Sequence, residues 1–401
     1  MDYARAGWRR TDDHHHAAAQ HHHGLQGPCR RTGLNPANEN LTRTPLYERH
    51  VALNARIVPF AGHAMPVQYA SGALREYQIV RGGGAGIFDI SHMGQIRVAG
   101  PDAMAFLQYV TTNDVSRLAD GQVHYSALLN ERGTFIDDIT TYRLREHEYY
   151  LCVNAANRQR DAQHLLEHAT GFDVRITNES DTTALIALQG AASQDVLQPL
   201  ADIDLDGIAY YRFAEAGLLG RQVLISRTGY TGEDGFEIYM PADIAPEVWD
   251  ALLEHGARPA GLAARDMLRT EMGYALYGHE IDDTVTPVEA GLMWITKLDK
   301  GDFIGREAVC ARRQAGAKKR LIALELVDRG IPREHYPVLA EGRTVGEVTS
   351  GMFSPSLQRG IALAYVQPEA IDNGELAIEI RGRAATARLA KLPFVPSRVR
   401  K

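Results

Sequence analysis

The chain has 401 residues, 45% hydrophobic and 23% charged, which is ordinary for a globular protein and ample for more than one core. A net charge of -7 and a pI near 6.1 leave no basic field to hold a nucleic-acid backbone, and no apolar run is long enough to cross a bilayer. Cys29, Cys152 and Cys310 are scattered without CxxC spacing, so a reduced compartment is expected, with neither a disulfide framework nor a zinc site.

Residues 1–43 are rich in His, Arg, Asn and Gly, carry the triplets His14–His16 and His21–His23, and show no hydrophobic period. A disordered extension is expected there. The stretch lacks the apolar core of a secretory signal; its arginines leave a transit peptide open, against Asp12 and Asp13, as is a true start near Leu41. From Thr44 the texture is globular. RGGGAG at 81–86 imitates a phosphate loop but follows a helix-like segment rather than a strand. IFDI then leads to Ser91, His92 and Met93, where a lone histidine has an ordinary structural explanation.

Pro101 and the apolar spacing after it predict a helix over 101–114. Strands are expected at 123–129 and 134–142 around the turn at Asn130–Gly133, and at 149–154, with a helix through Arg160, Leu165 and Leu166 to Gly171. Further strands are read at 183–188, 208–213 and 221–226. Helices follow at 245–255 and from about Gly261. Strands and helices interleave without a doubly wound rhythm, which makes residues 44–310 α+β. Residues 311–319 (ARRQAGAKK) read as a basic linker. Beyond it, 320–397 is almost wholly β, with strands at 320–327, 343–349, 360–366, 374–381 and 384–391, as in a small barrel or sandwich. No internal repeat is visible.

Three groups could carry chemistry. In SRTGYTGEDGFEI, Gly229, Gly232 and Gly235 allow a sharp turn and close approach to a ligand, and Glu237 follows in a short strand, sharing a face with Tyr239. A carboxylate there suits a planar heterocycle with adjacent N–H donors, such as a pterin; a solvated surface hairpin is the plain alternative. Asp137 and Asp138 occupy opposite faces of one strand, Asp138 with Ile136 and Thr140, and the residues leave open which matters. In GLAARDMLRTEM, Asp266 and Arg269 are close enough to pair, while the small residues flanking Arg265 would let its head reach into a cleft.

Taken in order, TPLYERH, IFDISHM, TNDV, the IDD strand, VNAAN, SRTGYTGEDGFE, GLAARD, LYGHEID, DFIGREA, TSGMFSP and PFVP resemble the aminomethyltransferase, or T-protein, family of the glycine cleavage system, from about Thr44 to Pro396. The resemblance implies a ring of three domains around a folate-sized hole, the last a β-barrel. It implies transfer of an aminomethyl group from the dihydrolipoyl arm of a carrier, H-protein, to tetrahydrofolate, releasing ammonia and leaving 5,10-methylenetetrahydrofolate and the dithiol carrier. It assigns Asp138 as the catalytic acid, Glu237 to the pterin and Arg265 to the cleft. Met93, Tyr125, Asn154, Tyr210, Tyr230 and Trp294 match positions lining the folate. Arg400, with Arg398 and Lys401, would meet the folate's anionic tail, although SRVRK replaces the tyrosine-bearing end of many relatives. His63 stands where the family usually has Trp, and RGGGAG is unusually glycine-rich. No metal and no membrane are implied; the location would be cytoplasmic, or the mitochondrial matrix if the extension is a transit peptide. The alternatives are a non-catalytic folate-binding protein of the same fold serving iron–sulfur maintenance, and the folate domain of a sarcosine or dimethylglycine oxidising enzyme. The first usually carries a KGCxxGQ motif, where this chain has KGDFIGR, and the second a flavin fingerprint not found here.

Overall fold

A computed structural model describes residues 41–373 and 375–400. Nearly all of the predicted extension, with Cys29 and both histidine triplets, lies outside them, as does Lys401.

Five antiparallel strands, in spatial order Gln122–Leu129, Phe135–Arg145, Glu148–Val153, Gly94–Ala99 and Arg175–Asn178, form one sheet. A second sheet orders Phe213–Leu218, Arg221–Ser226, Gly235–Pro241, Thr183–Gln189, Gly86–Asp89 and Arg258–Pro259, the last pair parallel. Each sheet buries its outer face under its own helices, as alternating side chains dictate. Ala103–Val110 and Arg158–Glu167 cover the first; Ala245–Glu254, with fully buried Trp249, covers the second. The inner faces meet in a common core, where Tyr142, Tyr150 and Cys152 pack against Leu185, Ala187 and Tyr239. Tyr142 and Tyr239 join hydroxyls at 2.9 Å. Main-chain bonds from Val123 N to Tyr211 O (3.1 Å) and Phe213 N to Gly121 O (3.0 Å) sew the sheet edges together.

The two sheets repeat one plan that the sequence does not reveal. In each, a strand (Gly94–Ala99; Thr183–Gln189) leads to a helix, then a 3-10 turn capped by an aspartate (Asp114; Asp204), then a three-strand meander pairing back on the first strand. The second cap overturns the strand predicted at 208–213. Asp204 accepts from Asp206 N at 2.9 Å, Tyr211 adopts φ 59°, and regular pairing starts only at Phe213. The helix predicted over 101–114 likewise stops at Val110, because Thr111 turns extended and bridges Leu128.

The basic stretch read as a linker begins inside a helix, Arg306–Ala315, whose last turn carries Arg312 and Arg313 where cations suit the helix dipole. Beyond Gly316 a closed barrel runs Arg320–Leu326, Arg359–Val366, Arg343–Ser354, Pro337–Ala340, Leu376–Ile380 and Arg383–Ala390, filled by Leu324, Val338, Val348, Ala364 and Ile378. The strand Pro337–Ala340 was not predicted; it is four residues long and opens on proline. The barrel grips the helix Leu262–Met272. Ser354 donates to buried Glu271 at 2.5 Å, and Arg269 donates to Ser350 at 2.8 Å and to Glu280 at 2.8 Å.

Candidate active site

Between the sheets lies a set of polar side chains that are deep yet keep some solvent contact. The strand Phe135–Arg145 delivers two aspartates to different places, through a device the sequence does not show. Leu128 pairs with Asp137 but Leu129 with Phe135, so Ile136 bulges out of register. The face shared by Ile136 and Asp138 in a regular strand is thereby broken: Ile136 joins the core beneath the sheet with Ile139, while Asp138 stays only partly buried.

Asp138 is held at both oxygens. Tyr125 donates to Oδ2 at 2.7 Å and Asn154 Nδ2 to Oδ1 at 2.7 Å. Burial, then the charge of Asp137, push its carboxyl up to about 7, against the opposing pull of those two hydrogen bonds. Asp137 is fully buried and accepts from Asn154 N (2.8 Å), Asn154 Nδ2 (3.0 Å) and Asn157 Nδ2 (2.6 Å). Asn157 and its helix neighbour Asp161 escaped the sequence reading. The signal for them is their spacing of four, which puts both on one helix face toward Asp137.

In the second sheet, the strand Gly235–Pro241 alternates as expected, with Phe236, Ile238 and Met240 in the outer core and Tyr239 in the shared one. Glu237 therefore faces the first sheet. Thr228 donates to its Oε2 at 2.7 Å, a partner the sequence reading missed. Burial raises the Glu237 carboxyl, while Thr228 and the charge of Arg265 pull the other way. Burial likewise lowers the Arg265 guanidinium, opposed first by Glu237. Arg265 lies 4.8 Å over the Tyr230 ring, and Tyr230 stacks on Tyr274 at 5.6 Å and donates to Ala275 O. The turn glycines answer to packing rather than to a ligand: a Cβ on Gly232 would meet the Met272 sulfur at 2.2 Å, and one on Gly235 the Leu188 carbonyl at 2.4 Å.

At the rim the Tyr125 ring lies 5.8 Å from that of Trp294, which is 60% exposed, a large apolar side chain left free for a partner or ligand. Met93 packs against the shared core, and Tyr210 sits edge-on to Tyr211 at 4.8 Å, with Tyr274 hydrogen-bonded to it. Arg400 is not brought to this group; its guanidinium engages Asp206 and Gln194 on the exposed surface. Buried His63 receives Arg158 Nη1 at 3.2 Å and bonds Ala61 O at 2.9 Å, so its ring is fixed by Arg158, itself paired with Asp181 at 2.6 Å. His92 is buried beside it and pushed down to about 3, chiefly by burial, which keeps it neutral. Among the described residues no group of three His, Cys, Asp or Glu is placed to hold a metal, and no helix is long and apolar enough to cross a membrane.

Residues 46–300 match the family described as the GCVT N-terminal domain, and residues 319–396 the glycine cleavage T-protein C-terminal barrel domain. An aminomethyltransferase of Thermus thermophilus is 49% identical over 356 residues, covering 89% of this chain and 99% of that protein. One from Moorella thermoacetica is 48% identical over 360 residues, covering 88% and 98%. The crystal structure of the glycine cleavage system aminomethyltransferase T from Bartonella henselae superposes with a TM-score of 0.85 at 36% identity, over 90% of this chain and all of that one.

Proposed function

The chain belongs to the glycine cleavage T-protein family of aminomethyltransferases, and on that premise we propose how its cavity carries the reaction. The enzyme transfers the aminomethyl carbon of an S-aminomethyldihydrolipoyl carrier protein to tetrahydrofolate, giving 5,10-methylenetetrahydrofolate, ammonia and the dihydrolipoyl carrier. The donor set fits a reduced pterin. Glu237 has Thr228 as its one side-chain donor among the described residues, which leaves acceptor capacity for adjacent N–H groups of the ligand. Tyr125 and exposed Trp294 supply aromatic faces, and Arg265 holds the Glu237 charge in place. Met93, Asn154, Tyr210 and Tyr230 complete the lining in this reading. Arg400, in an exposed ion pair with Asp206, stands apart from this lining.

Tetrahydrofolate, when bound, supplies the nitrogens that accept the carbon. In the net reaction a C–S and a C–N bond break, two C–N bonds form, and the two N–H protons of the acceptor end on ammonia and the thiol. Asp138 suits both demands this makes. Its carboxylate opposes the positive charge that develops as ammonia departs. With its carboxyl near 7, it can also take a proton from one nitrogen and return it to a leaving group without a large barrier either way. Asn154 and Tyr125 fix its direction. The observation that carries this reading is the Asp138 carboxyl tethered at both oxygens, by Tyr125 and by Asn154.

Bacterial relatives make a cytoplasmic location the corresponding reading, and the lipoyl carrier its transient partner. The test is to incubate the purified chain with aminomethyl-loaded carrier and tetrahydrofolate and to follow ammonia and methylenetetrahydrofolate together. Equal yields of both above a blank without enzyme are expected; ammonia at the blank rate would refute the function.

A further inference from the structure

Beneath the strand that carries Asp138 sits a carboxyl that the mechanism does not use. Asp161, on the helix Arg158–Glu167, is 0% exposed, and neither of its oxygens meets an N–H or O–H donor. Its polar neighbour is the carboxyl of Asp137, within hydrogen-bonding reach and equally buried. Two acceptor oxygens cannot close that contact unless a cation or a proton lies between them. The nearby cation is Arg160, which is exposed and spends its guanidinium on the Tyr277 hydroxyl at 2.9 Å. A proton remains.

We propose that Asp161 is a positioning residue held as a neutral acid, donating its carboxyl O–H to Asp137 and so fixing the Asp137–Asn154–Asp138 chain that aims Asp138 into the cavity. This rests on the role given to Asp138 above.

The hydrogen bonds decide which of the pair keeps the proton. Asp137 already accepts three N–H donors, two from Asn154 and one from Asn157, and these stabilise charge on it. Asp161 has none. Burial raises both carboxyls, but only Asp161 lacks donors to offset it. The positive end of its own helix, in whose first turn Asp161 lies, and Arg160 pull toward the carboxylate, but full burial and the charges of Asp137 and Asp138 push toward the neutral form.

The consequence reaches Asp138 through Asn154. That single amide divides its N–H groups among Asp137 Oδ1 (3.0 Å), Asp138 Oδ1 (2.7 Å) and Asp138 O (3.1 Å). With the Asp161 proton present, Asp137 has a fourth donor and its charge is partly neutralised. Without it, Asp137 competes harder for Asn154 and repels the Asp138 carboxylate more strongly.

Asp161→Leu removes the donor and Asp161→Asn keeps one, as an amide N–H. In Asp161→Leu the limb of the kcat–pH profile that belongs to Asp138 is expected to move up by about one pH unit, and kcat to fall about tenfold, with the KM for tetrahydrofolate unchanged. Asp161→Asn should restore both. Infrared spectra at about pH 9, where Asp138 is ionised, read the proton without turnover. A carboxylic-acid band should be present in the wild type and in Asp138→Asn, and missing from Asp161→Asn. An unmoved limb in folded Asp161→Leu, or a band that survives in Asp161→Asn, overturns the proposal. If Asp161→Leu does not fold, the infrared comparison decides alone. Undiminished turnover in Asp138→Asn would instead overturn the role of Asp138, a result on which the band does not depend.

Discussion

Asp138→Asn should kill turnover while making the protein more stable at alkaline pH. The amide is nearly isosteric, and both tethers survive it: its oxygen accepts from Asn154 and its nitrogen can donate to the Tyr125 hydroxyl oxygen. The wild-type carboxyl is raised from 3.8 to about 7, mainly by burial. A raised acid is favoured neutral in the fold, so its contribution is fully present below pH 3.8 and is lost as pH climbs through about 7. About three pKa units at roughly 1.4 kcal/mol each set an upper bound near 4 kcal/mol, and about half that remains once the solvent contact of the carboxylate is allowed for. Urea melts of both proteins from pH 4 to 9 would read it: the variant should gain about 2 kcal/mol relative to wild type across that range, and lose about 100- to 10,000-fold in kcat. A stability difference that does not change with pH would refute the claim that the fold holds this carboxyl against its own charge.

Glu237→Ala should weaken tetrahydrofolate binding about 10- to 100-fold, the loss of a charge-assisted pair worth about 1.5–3 kcal/mol, and calorimetry showing equal affinity would remove Glu237 from the site. Arg265→Met removes the charge that offsets the burial of Glu237, so folate affinity should fall on acidification at a higher pH than in wild type; superimposable affinity–pH curves would break that link. Trp294→Ala should lower folate affinity about 3- to 10-fold with little change in melting temperature, since the ring is largely exposed; a large thermal loss would make it a packing residue. Glu271→Ala strips the carboxylate shared by Tyr77, Arg81 and Ser354, and should cost about 3–5 kcal/mol of stability; a melt within 1 kcal/mol of wild type would mean the barrel is held by other contacts.

Much of this molecule is legible in the chain because alternation and spacing are local. Residues 235–241 alternate on the page as they do in space, so the side of Glu237 could be read from Phe236, Ile238 and Tyr239. Asp138 could not be read that way. Its direction depends on a bulge at Ile136, and a bulge is a relation between two strands that neither strand encodes alone. The early end of the helix at Val110 has the same origin, since Thr111 is claimed by Leu128 from another element. The repeated sheet plan is hidden for a different reason. Only the burial pattern and the two aspartate caps must be kept for the plan to recur, and the side chains that fill it are free to differ. Asp161 is not singled out by the sequence because its partner, Asp137, is contributed by a strand more than twenty residues earlier.

The barrel carries no residue of the proposed chemistry, yet the geometry gives it a part in it. Arg265, Arg269 and Glu271 share the helix Leu262–Met272, with Arg265 at the cavity and the other two on the barrel side. Ser350 and Ser354, from one long barrel strand, hold Arg269 and Glu271, and Tyr365 donates to the carbonyl of Glu280, which in turn pairs with Arg269. Helices do not slide a fraction of a turn under such buried, bidirectional ties without leaving a charge unpaired. The barrel therefore sets the depth of the helix, and with it the reach of Arg265 toward Glu237. A barrel loosened from this helix should first lose folate affinity and its dependence on Arg265, before the two sheets themselves unfold.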